Sequence, residues 1–322
     1  MHRVLAPFVG AAVLAACGGP SPTSAPPLIV AAPTPPPTTT TASSPSAPSS
    51  TAMPETPTPT IATSTAAASV RLDFPRVSAA PSLVTHGLTM SLGGFDPLGD
   101  EFMRALRDFI REVKSPWHSD HLCFGSVDGR ILHDLLPLAF TPATVERVAD
   151  RVKEAQDRLG VPMAVENISF YMHPGKAEMP EAEFVARVCD RADCKLMLDV
   201  NNAYVNATNF GFDVDEWMRA VPLDRVVQMH VAGHEWFDDP AQSAAGAEPG
   251  GKVIIDTHGA DVCDPVLALL ERVLRKTGPV PVLLERDQNI PSLDTLLAEL
   301  AVLRRIWDRA TARPGAEQTV GA

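Results

Sequence analysis

Beyond about residue 80 the chain alternates short apolar runs with longer stretches of helical periodicity. Nearly every apolar run ends on a side chain able to bind a metal. The runs Ser82–Thr85, Val161–Val165, Lys195–Leu198, Arg225–Met229 and Val280–Leu284 stop at His86, Glu166, Asp199, His230 and Glu285 in turn. Between them, Phe102–Val113, the segment from Thr141-Pro142 to Gly160, Glu181–Asp190, Val214–Ala220, Pro265–Lys276 and Leu293–Trp307 carry helical spacing and helix start or stop residues. This alternation predicts an α/β fold with a parallel sheet and crossover helices. The runs are apolar throughout, as in strands covered on both faces. Gaps of roughly 25 to 45 residues match one βα unit of a TIM-type (β/α) barrel, which gathers all strand C-termini on one rim.

On that rim, eight residues far apart in sequence would converge: His86, His121, Glu166, Asp199, His230, Asp256, His258 and Glu285. Each has an ordinary explanation by itself. Asp199 before Val200-Asn201-Asn202 could form an Asx turn, and Glu285 could pair with Arg286. Together they would be a very costly buried cluster without a cation. Mixed imidazole and carboxylate donors suit iron, manganese or zinc. The cysteines Cys123, Cys189, Cys194 and Cys263 show no Cys-x-x-Cys spacing, which argues against a closed structural zinc site and for free thiols. Eight donors exceed what one ion takes, so two or three metals are expected.

The first 80 residues are a different material. They hold 15 of the 31 prolines, and Glu55 is the only charged residue between Val4 and Val70. Such a stretch cannot bury enough apolar surface to offset its ordering entropy, so residues 18–80 are expected to be a disordered Pro/Thr/Ser-rich linker. Before it, His2 and Arg3 precede the uncharged run Val4–Ala16, which leads into Cys17. That run is shorter than the ~20 residues of a spanning helix. Its layout is that of a secretory signal, and it is similar to a bacterial lipoprotein signal in which Cys17 is lipidated. The reading is therefore a signal over 1–17, a linker over 18–80, a barrel domain over 81–312 and a flexible tail over 313–322. A lipid anchor would be the chain's one link to a membrane. The first 80 residues carry three Arg and two acids, which leaves 24 basic and 37 acidic residues in the remainder. That excess excludes a nucleic-acid surface built on clustered Lys and Arg.

The motifs resemble a known family. Thr85-His86-Gly87 with Ser91-Leu92-Gly93, Ser119-Asp120-His121-Leu122, Asp134-Leu135-Leu136-Pro137-Leu138 and Glu166-Asn167-Ile168-Ser169 are followed by Leu198-Asp199-Val200-Asn201-Asn202. Then come His230-Val231-Ala232-Gly233-His234, Ile255-Asp256-Thr257-His258-Gly259, and Asn289-Ile290-Pro291 after Glu285. In order and spacing, residues 81–307 resemble the multinuclear non-haem iron-dependent oxidative enzymes (MNIO), also catalogued as domain-of-unknown-function 692 and UPF0276. Members begin with two further strands before the one that ends in His-Gly. Here that space holds the signal and linker, with Val70–Phe74 as one replacement strand, so the resemblance implies an N-terminally incomplete barrel of about six strands.

The resemblance also implies a function. Members hold two or three irons of mixed valence and use O₂ to oxidise cysteines of ribosomally made peptides, commonly with a partner protein that presents the peptide. Carried over, His86, His121 and Glu166 hold one iron. Asp199, His230 and Glu285 hold a second with Glu166 placed to bridge, and Asp256 and His258 hold a third or close the cluster. Glu166, Asp199 and Glu285 are the catalytic carboxylates in this reading, and Asn167, Asn202 and His234 support the ligands. Family resemblance implies the cytoplasm, whereas the N-terminal signal implies a membrane-anchored lipoprotein. Two other functions fit the same pattern: a metal-dependent isomerase or hydrolase of the xylose-isomerase-like type, and an inactive, surface-tethered metal-binding protein.

Overall fold

The apolar runs become the strands of one parallel sheet. A computed structural model describes residues 11–14, 83–238 and 251–312. In chain order the elements begin with β1 (Ala11–Leu14), β2 (Leu83–His86), α1 (Asp100–Val113), β3 (His118–His121), β4 (Phe124–Val127), β5 (Arg130–Leu136) and α2 (Pro142–Leu159). The middle is β6 (Met163–Glu166), α3 (Glu181–Ala192), β7 (Lys195–Asp199), α4 (Val200–Phe210) and α5 (Val214–Ala220). The chain continues with β8 (Val226–Ala232), β9 (Glu235–Asp238), β10 (Lys252–Ile255), α6 (Asp264–Thr277), β11 (Val282–Glu285) and α7 (Leu293–Thr311).

Six strands run parallel in the order β2-β3-β6-β7-β8-β11. Their alternation separates core from site. Met163, Val165, Leu196, Leu198, Met229 and Val231 are buried in the apolar core with the helices, and the intervening Glu166, Asp199 and His230 project from the other face. Each such fully buried side chain contributes about 1.5–3 kcal/mol relative to exposure. Register brings the strand ends level: His121 is opposite Glu166, and Asp199 is opposite His230. The helices start and stop where local chemistry dictates. Thr141 accepts a hydrogen bond from Thr144 N at 3.2 Å, Pro142 occupies the first turn of α2, and Gly160 ends it at φ 76°.

The parallel sheet is an open half barrel. On its outer edge β1 pairs with β2 antiparallel, Ala11 opposite His86 and Leu14 opposite Leu83. At the other end β11 pairs with β8, and no other described strand pairs with it. The incomplete barrel read from the sequence is thus what the described residues form.

Six elements depart from the pattern reading. β3 reads His-Ser-Asp-His, so its polar composition hides a fully buried strand. The hairpins β4–β5 and β9–β10 interrupt the βα rhythm immediately after β3 and β8. α4 is rich in Asn and starts directly at Asp199, which read as a turn. The expected Val70–Phe74 strand, Cys17, the linker over 18–80 and the tail over 313–322 lie outside the described residues. No described helix is long and apolar enough to cross a membrane.

Candidate metal centre

The C-terminal ends of the six parallel strands bring His86, His121, Glu166, Asp199, His230 and Glu285 together. Glu166, only 1% exposed, is the hub. Its Oε2 lies 3.3 Å from His86 Nε2 and 3.1 Å from His121 Nε2, and its Oε1 lies 3.0 Å from His230 Nδ1. His230 Nδ1 is also 3.0 Å from Glu285 Oε1. Two sets of donor atoms are tight enough to enclose an ion: His86, His121 and Glu166, and Glu166, Asp199 and His230.

These contacts are not ordinary ion pairs. Glu166 Oε2, Asp199 Oδ2 and His230 Nδ1 are buried without a hydrogen-bond partner, although Glu166 Oε2 and His230 Nδ1 have neighbours at 3.0–3.3 Å. Lone pairs that converge without directional bonds are the geometry of ligands around an ion. Donors at about 2.1 Å from a metal lie about 3 Å from one another. The residues therefore fit a metal on their own geometry.

Neighbouring groups fix the rings. His121 Nδ1 donates to Gly87 O at 3.1 Å, which leaves Nε2 as a lone pair facing Glu166. His86 Nδ1 is 2.9 Å from Ser119 Oγ and its Nε2 faces inward. Asp199 serves two purposes. Its Oδ1 accepts from Asn202 N at 2.7 Å and caps α4, a helix start in place of the expected Asx turn, and its Oδ2 is left for the centre. Asn167 holds the Asp199 backbone by two bonds, Nδ2 to Asp199 O at 2.9 Å and Asp199 N to Oδ1 at 3.0 Å. Asn202 Nδ2 donates back to Asn167 O at 3.0 Å.

Electrostatics match an uncompensated centre. Burial would raise the Glu166 carboxyl, but His121, His230 and His86 outweigh it and hold it low. Burial, reinforced by Asp256, Glu166 and Glu285, pushes Asp199 well above the usual carboxylate range. Burial drives His86 down to about 3. For His230 burial acts downward, yet Glu285 and Glu166 raise it far above an ordinary imidazole. A divalent cation among these groups relieves the carboxylate repulsion that burial amplifies.

Asp256 and His258 stand apart from the two donor sets. Asp256 is already satisfied: Oδ1 takes Asn201 Nδ2 at 2.8 Å and lies 3.0 Å from His258 Nε2, and Oδ2 takes Ser169 Oγ at 3.2 Å. His258 Nδ1 is 3.0 Å from Asp287 Oδ2 and 3.7 Å from Glu285 Oε2. The pair thus adjoins the centre through Glu285. His234 lies further out, with Nδ1 2.7 Å from Asn201 Oδ1. Sequence reasoning missed Gln228, whose amide nitrogen is 3.1 Å from His230 Nε2, Ser119 against His86, and Tyr171, whose hydroxyl accepts from Asp256 N at 2.9 Å. For Gln228 and Ser119 the period-two alternation of β8 and β3 was the available signal.

Comparison with known proteins decides the family. A family described as the RiPP precursor modification enzyme MbnB/TglH/ChrH matches residues 63–308. The chain belongs to this family. A UPF0276 protein of Pseudomonas aeruginosa is 44% identical over 226 residues, 70% of this chain and 74% of its own. A UPF0276 protein of Caulobacter vibrioides is 42% identical over 222 residues, 69% of this chain and 75% of its own. Among solved structures, an L-ribulose 3-epimerase aligns with a TM-score of 0.41 at 14% identity, over 69% of this chain and 72% of its own. The 3-keto-D-glucoside 4-epimerase YcjR of E. coli gives 0.39 at 15% identity, over 68% and 76%. These superpositions are loose, and the fold stands on the strand order above.

Proposed function

We propose that the protein is a multinuclear iron enzyme that oxidises cysteine residues of a ribosomally made peptide, with O₂ as oxidant. The supporting observation is the Glu166 hub, one carboxylate whose two oxygens face two separate sets of ligand atoms. Membership in the family that modifies RiPP precursors supports a peptide substrate. Mixed imidazole and carboxylate donors suit redox-active iron.

His86, His121 and Glu166 would hold one ion, and Glu166, Asp199, His230 and Glu285 a second. Asp256 and His258, already bound to one another and to Asn201, Ser169 and Asp287, would close the cluster beside Glu285. Bound iron supplies the redox capacity to activate O₂ and to withdraw hydrogen from a substrate cysteine. The chain's own residues do the rest. Gly87 O, Ser119 and Gln228 orient the imidazoles, Asn167 and Asn202 fix Asp199, and the buried strand ends exclude water. A peptide-presenting partner protein and a lipid anchor at Cys17 belong to the same proposal.

The test is metal counting and O₂ uptake on anaerobically purified full chain. Two to three irons per chain, with O₂ consumed only when a cysteine-bearing peptide is present, support the reading. Stoichiometric zinc or manganese with isomerase or hydrolase activity overturns it. Iron-loaded protein that consumes no O₂ with any such peptide supports a metal-binding role instead.

A further inference from the structure

A second reactive group is joined to the surroundings of the proposed iron centre through Asn201 and Asp256. Cys123, Cys189 and Cys194 are sealed in the core, and Cys263 is the partly exposed cysteine among the described residues. It occupies the N-cap of α6, and its Sγ lies 3.9 Å from His234 Nε2. The proton on His234 is placed by a chain of bonds. Asn201 Nδ2 donates to the Asp256 carboxylate at 2.8 Å, so Asn201 Oδ1 is the atom that faces His234. An amide oxygen only accepts, so His234 Nδ1, at 2.7 Å, carries the hydrogen. Its Nε2 is therefore a bare lone pair aimed at a thiol.

Packing fixes this arrangement. The His234 ring stacks on Tyr204 with centroids 5.4 Å apart. Gly233 lies so close to the loop before α6 that a Cβ there would be 1.9 Å from Ala260 O. Nucleophile, base and orienting amide, in that order, form the recurring pattern of an activated thiol, and the nucleophile–base contact is commonly loose before a substrate arrives.

We propose that Cys263, His234 and Asn201 form a thiol-exchange site that takes disulfides of cysteine-bearing peptides. The choice of peptide rests on the function proposed above. The Sγ–H proton passes to His234 Nε2 as Sγ attacks one sulfur of the disulfide. The old S–S bond breaks, a new one joins Cys263 to the peptide, and the leaving thiolate recovers the proton from His234. A second thiol on the peptide reverses the step by the same exchange, so no oxidant is consumed. The exchange would release a free peptide thiol.

The test treats the folded full chain with 5,5′-dithiobis(2-nitrobenzoate) and maps the adducts by peptide mass spectrometry. Cys263 is expected to label at pH 7, with a rate that changes less than threefold between pH 7 and 8.5. His234→Gln is expected to slow that labelling about tenfold or more at pH 7 and to restore the steep rise with pH of an unassisted thiol. Cys263→Ser removes the adduct. A Cys263 that stays unlabelled overturns the proposal. So does labelling at the wild-type rate in folded His234→Gln, or a wild-type rate that climbs with pH as a free thiol's does. The wild-type pH profile decides the matter even where the variant unfolds. Metal content of the same samples is independent: iron-loaded protein with an inert Cys263 sinks the thiol site alone, and rapid labelling in protein that binds no iron sinks only the oxidase reading.

Discussion

Gln228 and His230 meet side chain to side chain across 3.1 Å, both sealed from water on the inner face of β8. His230 Nδ1 faces Glu166 and Glu285, and it can serve as a ligand only when the ring's hydrogen sits on Nε2. Nε2 lies against the Gln228 amide, whose oxygen, turned toward the ring, accepts that hydrogen and leaves Nδ1 as a lone pair. Gln228 thus sets which form of the ring faces the centre.

Gln228→Leu is accordingly expected to weaken metal binding about 10- to 100-fold with the fold intact. Chelator competition measures this. Affinity equal to wild type removes Gln228 from the centre.

Glu166→Ala removes the carboxylate shared by both donor sets, and His121→Ala removes a ligand from one. Glu166→Ala should lose all tightly bound iron and all activity. His121→Ala should lose activity but retain part of the metal. Full iron content in both variants refutes the ligand assignment.

Asp199→Asn separates the two duties of this residue. The amide oxygen still caps α4, and the charge that faces Glu166 and Glu285 is gone. Metal-free variant should melt no lower than metal-free wild type. Added metal should stabilise it less, compared with the ~2.7 kcal/mol expected for a ligand at a hundredfold excess over its Kd. Paired melting curves with and without ferrous iron read both effects.

Glu181 gives a pH dependence remote from the centre. Loss of water around its carboxyl, against hydrogen bonds from Trp217 and Asn206, raises its pKa from 4.5 to about 8. Between those two values the unfolded chain is ionised while the folded chain holds the proton. Stability therefore falls as pH rises from about 4.5 to about 8. Glu181→Gln should remove that slope, with no advantage near pH 4.5 and its largest advantage at about pH 8. Denaturant melts across this range measure the difference, and parallel curves would show that Glu181 is ionised in the folded state.

Much of the site was legible because its logic is local. A strand buried on both faces reads as an apolar run, and its last inward position is where a ligand can stand, so His86, Glu166, Asp199, His230 and Glu285 could be found by strand ends. β3 was hidden because both of its faces carry polar side chains: His118 and Asp120 on one, Ser119 and His121 on the other. His121 was singled out as a metal-competent side chain for the barrel rim, with no strand assigned to carry it. Gln228 was passed over although it stands two residues before His230 and so shares its face of β8. The distinction between Asp256, already satisfied by Ser169 and Asn201, and Asp199, with a bare oxygen, depends on contacts across 55 to 87 residues of sequence. No local pattern encodes that.

The outer strand of the sheet has a consequence for how the N-terminus is handled. Ala11–Leu14 lie within the uncharged run that resembles an export signal, and the same four residues zip onto the backbone of Leu83–His86. One segment cannot occupy a translocation channel and a sheet edge together. Any processing that removes or anchors those residues also strips the neighbour from the strand that carries His86. Were that run an export signal, its removal and the covering of the β2 edge would be mutually exclusive fates of one stretch of chain.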